Sequence, residues 1–416
     1  MVRKTVTHQQ QHSAAVGIQL SASLSALGSS SQQVRQNLTQ PNSTQQTTLS
    51  LQQHWLSEHA VWVGAYQENF IEQLPERCAP WQSRNLRFAV TALSQIETEL
   101  RQRTAHINPS RLAIVVGTST SGIADNESLL AEYFQGKTEV VIDHHKQEMN
   151  ALAKGLQAYL GWCGAAYTIS TACSSSAKAF IAGQRLLNAG LADAVLVGGV
   201  DTLCRLTLNG FNSLESLSAS ICQPCGAERD GINIGEAASL FLLTRDIAPV
   251  MFLGGGEAMD AWHISAPHPD GLGAAQAMQR ALKAANLEAA QIDYLNLHGT
   301  ATPQNDAMEI KAVRQVFAGH PIKLSSTKHQ TGHCLGAAGA VEAFICQQAL
   351  LDQSWLPWHQ QGQLDHELAD QTYVNASTKI ESLHYMMSNS FAFGGSNVSL
   401  IFGRNFEQNL LGTAST

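Results

Sequence analysis

The sequence carries little charge, and its basic residues are not gathered into any one segment. Of its 416 residues 14% are charged, and 25 basic residues against 33 acidic ones give a formal net charge of −8. Nucleic-acid-binding proteins concentrate lysine and arginine on one surface. The scattered charge excludes that class. An acidic partner would need a small local basic patch, because the field of the whole molecule opposes it.

Long hydrophobic runs are also missing. No apolar run reaches the roughly 18–20 residues that a membrane-spanning helix requires. The first residues, MVRKTVTHQQQH, lack the apolar centre of a secretory signal, and the polar tail after Arg404 is expected to fray. In a long chain without an export signal, the eight cysteines are interpreted as free thiols rather than four disulfides. These absences predict a cytoplasmic protein without a membrane span.

Apolar runs are present, but they are short and alternate with alanine-rich helical stretches. The clearest are LAIVVGTSTSG (112–122), ADAVLVGGVDTL (192–203), IDYLNLHGTAT (292–302) and YMMSNSFAFGGSNVSLIFG (385–403). Such alternation predicts an α/β fold with parallel strands and helices on both faces. The strand FLLTR ends at Arg245 and a second series begins at Val250, so we predict two α/β halves, residues 1–248 and 249–416.

Cys173 lies in TISTACSSSAKAF (168–180), where a strand-like run gives way to a helical pattern. A free thiol has a pKa of about 8.5 and is mostly protonated at neutral pH. Unpaired N–H groups at the first turn of a helix favour the thiolate, and small neighbours such as Ala172 and Ser174 leave room for a thioester. The segment alone is equally consistent with a nucleophile and with a buried structural cysteine.

Two further segments place basic side chains after apolar strands. LHGTATPQNDAMEI contains His298, and STKHQTGHCLGAAGAVEAF contains Lys328 and His333 in a loop before a helix. Open α/β sheets build their sites at the carboxyl ends of strands. Either histidine alone would more often be a satisfied or surface residue. One thiol and two imidazoles at three strand ends predict a shared site.

Four of these segments resemble, in order and spacing, the signature motifs of elongating β-ketoacyl-acyl-carrier-protein synthases. They are TACSSS, HGTAT with the following NDxxE, SSTKxxTGHxLGAAG and NSFAFGGSN, and the resemblance covers about residues 110–403. It implies the thiolase fold, a five-layered α/β/α/β/α arrangement of two pseudo-duplicated halves. The first half would carry the nucleophilic cysteine and the second both histidines. TACSSSAKA and SRNLRFAV are also similar to synthases of bacterial aryl-polyene clusters.

The resemblance implies an acyltransferase that condenses malonyl carrier protein with an acyl group held on Cys173, with loss of carbon dioxide. The pathway would be fatty-acid, polyene or polyketide chain elongation. Cys173, His298 and His333 would form the catalytic triad, Lys328 would tune its electrostatic field, and Glu309 would pair with and orient Lys328. No cofactor is implied, because phosphopantetheine arrives on the carrier. The implied partners are an acyl carrier protein and a second synthase subunit, identical or related.

The resemblance also assigns positions to an oxyanion hole, a gating loop and substrate contacts. These positions are the backbone N–H groups of Cys173 and Phe393 for the oxyanion hole; Phe391, Phe393, Gly394 and Gly395 for the gate; and Thr300, Thr302 and Ile123 for the pantetheine amides and the acyl pocket. Aromatic core packing beside a glycine turn is the alternative interpretation of the two phenylalanines. No metal ligand set is implied.

A possible cation site and a docking patch each have two interpretations. In some members of the family a structural monovalent cation is bound, and the positions matching its ligands are Asn296, Glu342, Ser388 and Asn389. A buried carboxylate paired with amides explains Glu342 as well. Arg84 and Arg87, in WQSRNLRFA, are candidates for docking the carrier protein or are solvated helix charges.

Cys222 and Cys225 form the motif CQPC, whose spacing is that of a redox or zinc motif, but a second pair is missing. The resemblance places this motif in a turn instead. It is also where the sequence departs from the family, since Gln223, Cys225 and Gly226 replace the usual arginine, aromatic residue and acid.

Two other functions are compatible with the same fold. A non-catalytic or chain-length-determining subunit of a synthase dimer keeps the fold but loses the cysteine, so Cys173, both histidines and Lys328 argue against it. A thiolase or an initiating synthase acts on coenzyme A esters. Initiating synthases have an asparagine where this chain has His333, and thiolases have a late second cysteine, whereas no cysteine follows Cys346 here.

Overall fold

The computed structural model describes residues 14–40, 47–137 and 139–405. The amino-terminal segment predicted to lack a signal, and residues 406–416 of the tail predicted to fray, lie outside the described residues. Among the helices of the described ranges, none combines the length and the apolar composition needed to cross a membrane.

Strands and helices alternate along the described chain. The strands are β1 (Val16–Ser25), β2 (Ser50–Gln52), β3 (Val61–Gly64), β4 (Leu112–Gly117), β5 (Ala166–Ile169), β6 (Ala194–Asp201), β7 (Ile234–Gly235), β8 (Ala237–Thr244), β9 (Val250–Met259), β10 (Tyr294–Asn296), β11 (Lys323–Ser325), β12 (Thr372–Tyr373), β13 (Tyr385–Phe391) and β14 (Ser396–Arg404). The helices are α1 (Ser31–Leu38), α2 (Arg84–Ser94), α3 (Glu97–Thr104), α4 (Ile123–Phe134), α5 (His144–Gln147), α6 (Ala151–Leu160), α7 (Ser175–Asn188), α8 (Arg205–Ser213), α9 (Leu272–Ala285), α10 (Pro303–Val316), α11 (Lys328–Thr331) and α12 (Ala338–Asp352).

Within the described ranges, eleven strands form one sheet in the order β12-β11-β10-β13-β14-β9-β1-β8-β6-β4-β5. This order contains the same arrangement twice. In each half, the strand that comes first along the chain lies beside the strand that comes last along the chain. The remaining strands follow outward in matching positions, as β1-β8-β6-β4-β5 in the first half and β9-β14-β13-β10-β11 in the second. The two halves are joined where Val16 and Gly17 pair with Phe252 and Met251. The fold is therefore an internal duplication, and the chain passes from one unit to the other between β8 and β9.

The prediction of parallel strands holds for only part of the sheet. β4 is parallel to β5 and β6, and β10 is parallel to β11 and β13. β8 runs antiparallel to β1 and β6, and β14 runs antiparallel to β9 and β13. A parallel crossover needs about a dozen residues, and the short turn between β13 and β14 cannot provide it. The sheet is therefore mixed.

Helices cover both outer faces and also fill the space between the two halves. α2 and α6 pack on the outer face of the first half, and α9 and α10 on that of the second. α7 and α12 lie between the halves, where the Phe180 ring contacts Phe241 of the first half and Phe252 and Phe402 of the second, with centroids 4.8–5.8 Å apart. This arrangement confirms the expected five-layered α/β/α/β/α fold.

A small sheet in the order β2-β3-β7 positions the segment that contains His333. The His333 N–H donates to the Asn233 carbonyl at 2.6 Å, and the Gly235 N–H donates to the His333 carbonyl at 2.9 Å. A Cβ at Gly64 or Gly235 would lie 2.1 or 2.2 Å from the Thr331 carbonyl oxygen. Glycine is required at both positions because the backbones approach too closely for a side chain.

Candidate active site

Cys173 lies in the turn between β5 and α7, where the sequence predicts a strand-to-helix elbow. The preceding residue, Ala172, has a φ of +51°, a left-handed conformation that is uncommon for a residue with a Cβ. The sulfur lies 3.0 Å from Nε2 of His333, and the residue is 6% exposed. The elbow therefore directs the thiol at a histidine from the other half of the molecule.

The thiol and both imidazoles converge from three distant segments. His298 follows β10, and His333 follows β11 and the short helix α11. The sulfur of Cys173 and one ring nitrogen of each histidine all lie within 4.8 Å of one another. The two imidazole rings are 5.3 Å apart between centroids and meet edge-on at 83°. The shared site predicted from the three strand ends is therefore present as a geometric arrangement.

Both histidines are neutral in this environment. Burial, followed by the positive charge of Lys328, holds the pKa of His298 and of His333 well below the usual value for histidine. Nζ of Lys328 lies 3.5 Å from Nδ1 of His298. An ammonium group only donates hydrogen bonds, so this Nδ1 is the acceptor and Nε2 carries the proton. His298 thus presents an N–H donor away from Lys328.

Lys328 pairs with Glu342, and the predicted pairing of Lys328 with Glu309 is wrong. Nζ of Lys328 donates to Oε1 of Glu342, in the middle of α12, and to the His298 carbonyl at 2.5 Å. The Glu309 carboxylate instead accepts the N–H groups of His298 and Gly299, both at 2.8 Å. Burial raises the pKa of both carboxyl groups to about 7. Glu309 therefore shapes the loop that contains His298 rather than orienting the lysine.

The predicted activation of the thiol by the helix terminus is outweighed by burial. Burial raises the pKa of Cys173 to about 11, against the opposing effects of the Lys328 charge and of the backbone N–H groups of Phe393 and Cys173. The resting group is a thiol, because an ionised sulfur would lose its hydration at this depth. It therefore needs a base, and Nε2 of His333 is in contact with it.

A cavity of about 330 Å³ leads to the three side chains. Its lining includes Thr300 and Thr302, whose hydroxyl oxygens are 2.9 Å apart, and the gate candidates Phe391 and Phe393. The Phe391 ring lies 6.2 Å from the His298 ring. All four residues named by the resemblance therefore face the same cavity as the thiol.

One aromatic residue that lines the cavity was not indicated by the sequence. Phe211, in α8, lines the cavity and has its ring centroid 5.8 Å from that of Phe393. A single aromatic residue in an amphipathic helix carries no signal of such a role. Gly394 and Gly395 both have a φ of +80°, and a Cβ at Gly395 would lie 2.2 Å from the Asp260 carbonyl oxygen. The turn after Phe393 therefore depends on its glycines.

Three residues predicted to contact substrate or carrier are not brought to this cavity. Ile123 is half-buried at the start of α4 and is not among the residues that line it. Arg84 forms a bidentate ion pair with the buried carboxylate of Glu236, with Nη2 to Oε1 at 3.0 Å. Arg87 donates to the backbone carbonyl of Glu72 at 3.4 Å and lies 3.9 Å from Asp125. The docking role proposed for Arg84 and Arg87 stays a prediction.

Cys222 and Cys225 are buried free thiols in a turn. The N–H of Cys222 donates to Oδ1 of Asn233, and the N–H of Cys225 donates to Oδ2 of Asp306, both at 2.7 Å. Burial raises the pKa of Cys222 to about 12. Both residues therefore have the character of structural cysteines, in the turn that the resemblance implies.

The residues proposed to surround a cation retain two buried oxygens without partners. Among the described residues, Oε2 of Glu342 and Oγ of Ser388 have no hydrogen-bond partner, while Asn389 contacts Glu309 and Ser399. Two free oxygen donors fit a monovalent cation. Among the described side chains, the Cys173–His298–His333 group is the one cluster of three with the spacing of a metal site. The expectation that it binds no metal stays a prediction.

The sequence matches two protein-family models that together cover most of the chain. Residues 22–247 match the beta-ketoacyl synthase N-terminal domain, and residues 252–361 match the beta-ketoacyl synthase C-terminal domain. The chain therefore belongs to the beta-ketoacyl synthase family and is an acyltransferase. The family resemblance identified from the four sequence motifs is confirmed.

Individual relatives agree with this assignment. The chain is 31% identical over 327 residues to 3-oxoacyl-[acyl-carrier-protein] synthase 2 of Vibrio cholerae, covering 71% of this chain and 77% of the relative. It is 32% identical over 337 residues to the protein of that name from Synechocystis, covering 76% and 80%.

Solved structures extend the likeness over nearly the whole chain. One is described as the ketosynthase ApeO in complex with its chain length factor ApeC from Xenorhabdus doucetiae. The match is 39% identical with a TM-score of 0.88 and covers 96% of this chain and 100% of that one. The ishigamide ketosynthase/chain length factor, at 24% identity and a TM-score of 0.84, shares the fold.

Proposed function

We propose that this protein is a β-ketoacyl-acyl-carrier-protein synthase that lengthens a carrier-bound acyl chain by decarboxylative condensation with malonyl carrier protein. The observation that carries the proposal is the convergence of the Cys173 sulfur and one nitrogen each of His298 and His333 within 4.8 Å, at a cavity wide enough for a thioester arm. A non-catalytic subunit would not require this arrangement.

In the first step Cys173 takes the acyl group from its carrier. The sulfur attacks the thioester carbonyl while Nε2 of His333 receives the thiol proton. The carbonyl oxygen becomes an oxyanion, for which the N–H groups of Cys173 and Phe393 are the candidate donors. When the intermediate collapses, the bond between the carbonyl carbon and the carrier sulfur breaks. The carrier leaves as a thiol after taking up the proton.

In the second step malonyl carrier protein loses carbon dioxide. The electron pair of the broken carbon–carbon bond moves onto the thioester oxygen, and the Nε2–H of His298 stabilises this enolate. Removing one such donor costs about 3–4 kcal/mol. The enolate carbon attacks the acyl carbonyl on Cys173, the carbon–sulfur bond breaks, and the sulfur takes up a proton from solvent. The product is a β-ketoacyl carrier protein.

Lys328 and the two threonines have supporting roles. Lys328 keeps Nδ1 of His298 as an acceptor, so that Nε2–H is available to the enolate. The hydroxyls of Thr300 and Thr302 are placed to bind the amides of a phosphopantetheine arm. The enzyme needs no cofactor of its own, because that arm arrives on the carrier. The free oxygens of Glu342 and Ser388 are where a monovalent cation would be held.

The partners are an acyl carrier protein and a second synthase subunit. The likeness to a ketosynthase solved with its chain length factor favours a related subunit over an identical one. The same likeness favours a polyene or polyketide pathway over housekeeping fatty-acid synthesis, in line with the aryl-polyene-like motifs. Residues 1–248 and 249–416 are proposed as the two thiolase-like halves. A cytoplasmic location stays a prediction.

The nucleophile is tested by intact-mass spectrometry after incubation with a panel of acyl carriers. The unmodified protein should gain the mass of one acyl group, and Cys173→Ala should gain none and should not condense. Cys163→Ala is the matched control, because Cys163 is an exposed free thiol away from the cavity. Acylation or chain elongation by Cys173→Ala would refute the mechanism.

His298 is proposed to act in the decarboxylation step and not in the acyl-transfer step, so its loss should affect the two steps differently. His298→Ala should still transfer an acyl group to Cys173 but should release carbon dioxide from malonyl carrier about 100-fold more slowly. The two rates are measured by mass spectrometry and by carbon dioxide capture. Undiminished carbon dioxide release would contradict the role given to the histidine.

A further inference from the structure

We propose that a hydrogen bond between two serines, Ser174 and Ser396, positions the oxyanion hole by holding the N–H of Phe393 beside the N–H of Cys173. This inference rests on the proposed function, since the oxyanion hole belongs to that reaction. Both serines are positioning residues, because neither is placed to touch substrate.

Ser174 belongs to the turn between β5 and α7 that contains Cys173. Ser174 directly follows Cys173, and its Oγ lies 2.9 Å from Oγ of Ser396, which is 222 residues away in the chain. Oγ of Ser174 also lies 2.8 Å from the Thr171 carbonyl oxygen, so Ser396 and this carbonyl share its one hydrogen. Since the side chains of Ser174 and Ser396 are both buried, water does not compete for this contact. It therefore connects the elbow directly to another segment.

On the other side of the contact, Ser396 follows the turn that contains Phe393. The Ala392 N–H donates to the Ser396 carbonyl, and the Gly395 N–H donates to the Ala392 carbonyl, both at 3.0 Å. Between these bonds stand Gly394 and Gly395, which have no side chains to pack and have positive φ angles. Glycines of this kind leave a turn free to shift unless neighbouring groups hold it. The Gly394 N–H donates to the Ile264 carbonyl at 2.7 Å, and the Gly395 carbonyl accepts the Asp260 N–H at 2.8 Å, so the segment 260–264 holds the turn on one side. Ser396 is the residue that closes the turn.

The chemistry demands that these two segments keep their spacing. An oxyanion hole works when both donors lie about 2.7–3.1 Å from the position the oxygen will take. The N–H groups of Phe393 and Cys173 both lie close enough to the sulfur to act on its ionisation. They belong to segments far apart in sequence, and a shift of about 1 Å in such a group can cost about 100-fold in rate. A direct bond between the adjoining serines limits that shift.

A double-mutant cycle tests the contact. Ser174→Ala and Ser396→Ala are each expected to lower the acylation rate of Cys173 and the turnover number of condensation about 10-fold, with KM unchanged. The double variant should be no slower than Ser174→Ala, because that variant has already lost the bond that Ser396→Ala removes. Additive losses, or losses in KM alone, would overturn the proposal. Ser396→Thr, which keeps a hydroxyl, should recover most of the rate.

A second measurement does not depend on condensation. Both N–H groups favour the thiolate of Cys173, so displacing one raises the pKa of the thiol and slows its alkylation by iodoacetamide at fixed pH. Each alanine variant should shift the pH profile of alkylation at Cys173 towards higher pH, and the double variant should shift it no further. An unshifted profile would refute the positioning role. A shifted profile in a protein that never condenses would instead refute the proposed function alone.

The chain offers a matched control pair for these variants. Oγ of Ser23 in β1 and Oγ of Ser239 in β8 are 2.6 Å apart, and both side chains are buried. Ser23→Ala and Ser239→Ala remove the same kind of bond far from the cavity. They should leave turnover and alkylation unchanged while costing a similar amount of stability. Equal effects of the two pairs on alkylation would show a general loosening and overturn the proposal.

Discussion

Lys328 is a buried cation, and each of its three N–H donors has an acceptor. Its ammonium group has three hydrogens, and its three acceptors are the Glu342 carboxylate, the His298 carbonyl and Nδ1 of His298. The first contact balances its charge, and the last sets the tautomer of a proposed catalytic imidazole. Lys328 thus contacts both the buried Glu342 carboxylate and the His298 ring that lines the cavity.

Removing the negative partner of this pair should be costly. Glu342→Gln leaves Lys328 buried without a counter-charge, and we expect a loss of about 3 kcal/mol in the free energy of unfolding, measured in urea. Glu257→Gln is the matched control, because Glu257 pairs with Arg185 near the surface and its loss should cost under about 1 kcal/mol. Adding Lys328→Met to Glu342→Gln should recover stability but not activity. Equal losses in the two glutamate variants would contradict this account.

The neutral histidines make stability depend on pH in a definite direction. Their pKa values are lowered in the folded state, so below about pH 6.5 the unfolded chain binds protons that the folded chain does not. Their contribution is present above pH 6.5 and is lost as the pH falls.

The comparison is between the unmodified chain and His298→Gln/His333→Gln, unfolded in urea at several pH values. The double variant should lose less stability than the unmodified chain as the pH falls below about 6.5. An unchanged dependence would mean that the two imidazoles are protonated in the folded protein.

At the scale of elements, the short strand β7 determines where His333 lies. Both backbone groups of His333 bond to this strand, through the Asn233 carbonyl and the Gly235 N–H. The close approach of β3 and β7 to the Thr331 carbonyl leaves no space for a Cβ at Gly64 or Gly235. The two-residue strand β7 thereby fixes the position of His333 in the candidate site.

Gly235→Ala should displace His333. The new Cβ would lie 2.2 Å from the Thr331 carbonyl oxygen, so the segment leading to His333 must move. We expect condensation to fall at least about 10-fold, with a loss of stability. Gly210→Ala in α8 is the control, because a Cβ there meets nothing within 4 Å, and it should be neutral or slightly stabilising. Full activity of Gly235→Ala, measured as turnover, would show that the segment adapts.

At the scale of the whole molecule, the candidate active site lies where the two duplicated halves meet. Cys173 comes from the first half and both histidines from the second, and the buried helices α7 and α12 hold the halves together. Two large apolar side chains are exposed in the segment that follows Ile123. Phe134 is 83% exposed and Val141 82% exposed. We propose that they contact the second synthase subunit.

Assembly with a second synthase subunit should therefore depend on this segment. The chain of 44.8 kDa, coexpressed with a related subunit, should elute as a dimer in size-exclusion chromatography with light scattering. Phe134→Asp should weaken that dimer, because a charge would be buried in an apolar interface. Ile247→Asp is the control, since Ile247 is also exposed but lies in the loop between β8 and β9. Equal dimerisation of both variants would contradict the assignment of the interface.

The sequence was sufficient where function depends on residues within one short motif. Cys173, His298 and His333 were identified because strand, turn and helix signals are local, and the same patterns indicated two α/β halves. The partner of Lys328 was predicted wrongly, since Glu309 before it and Glu342 after it are both buried acids and only the packing of α12 distinguishes them. The ion pair of Arg84 could not be predicted for the same reason, because its partner Glu236 lies in a distant strand-to-strand connection.

What the sequence by itself determined is the chemistry available: a thiol and two imidazoles, each at the end of a strand, in a chain of two α/β halves. What only the tertiary structure decided is the state of those groups. The resting thiol, the neutral imidazoles, the Lys328–Glu342 pair and the Ser174–Ser396 contact all arise from burial and from segments that meet across the two halves. Local sequence specifies backbone conformation, whereas ionisation and pairing depend on which distant groups exclude water together.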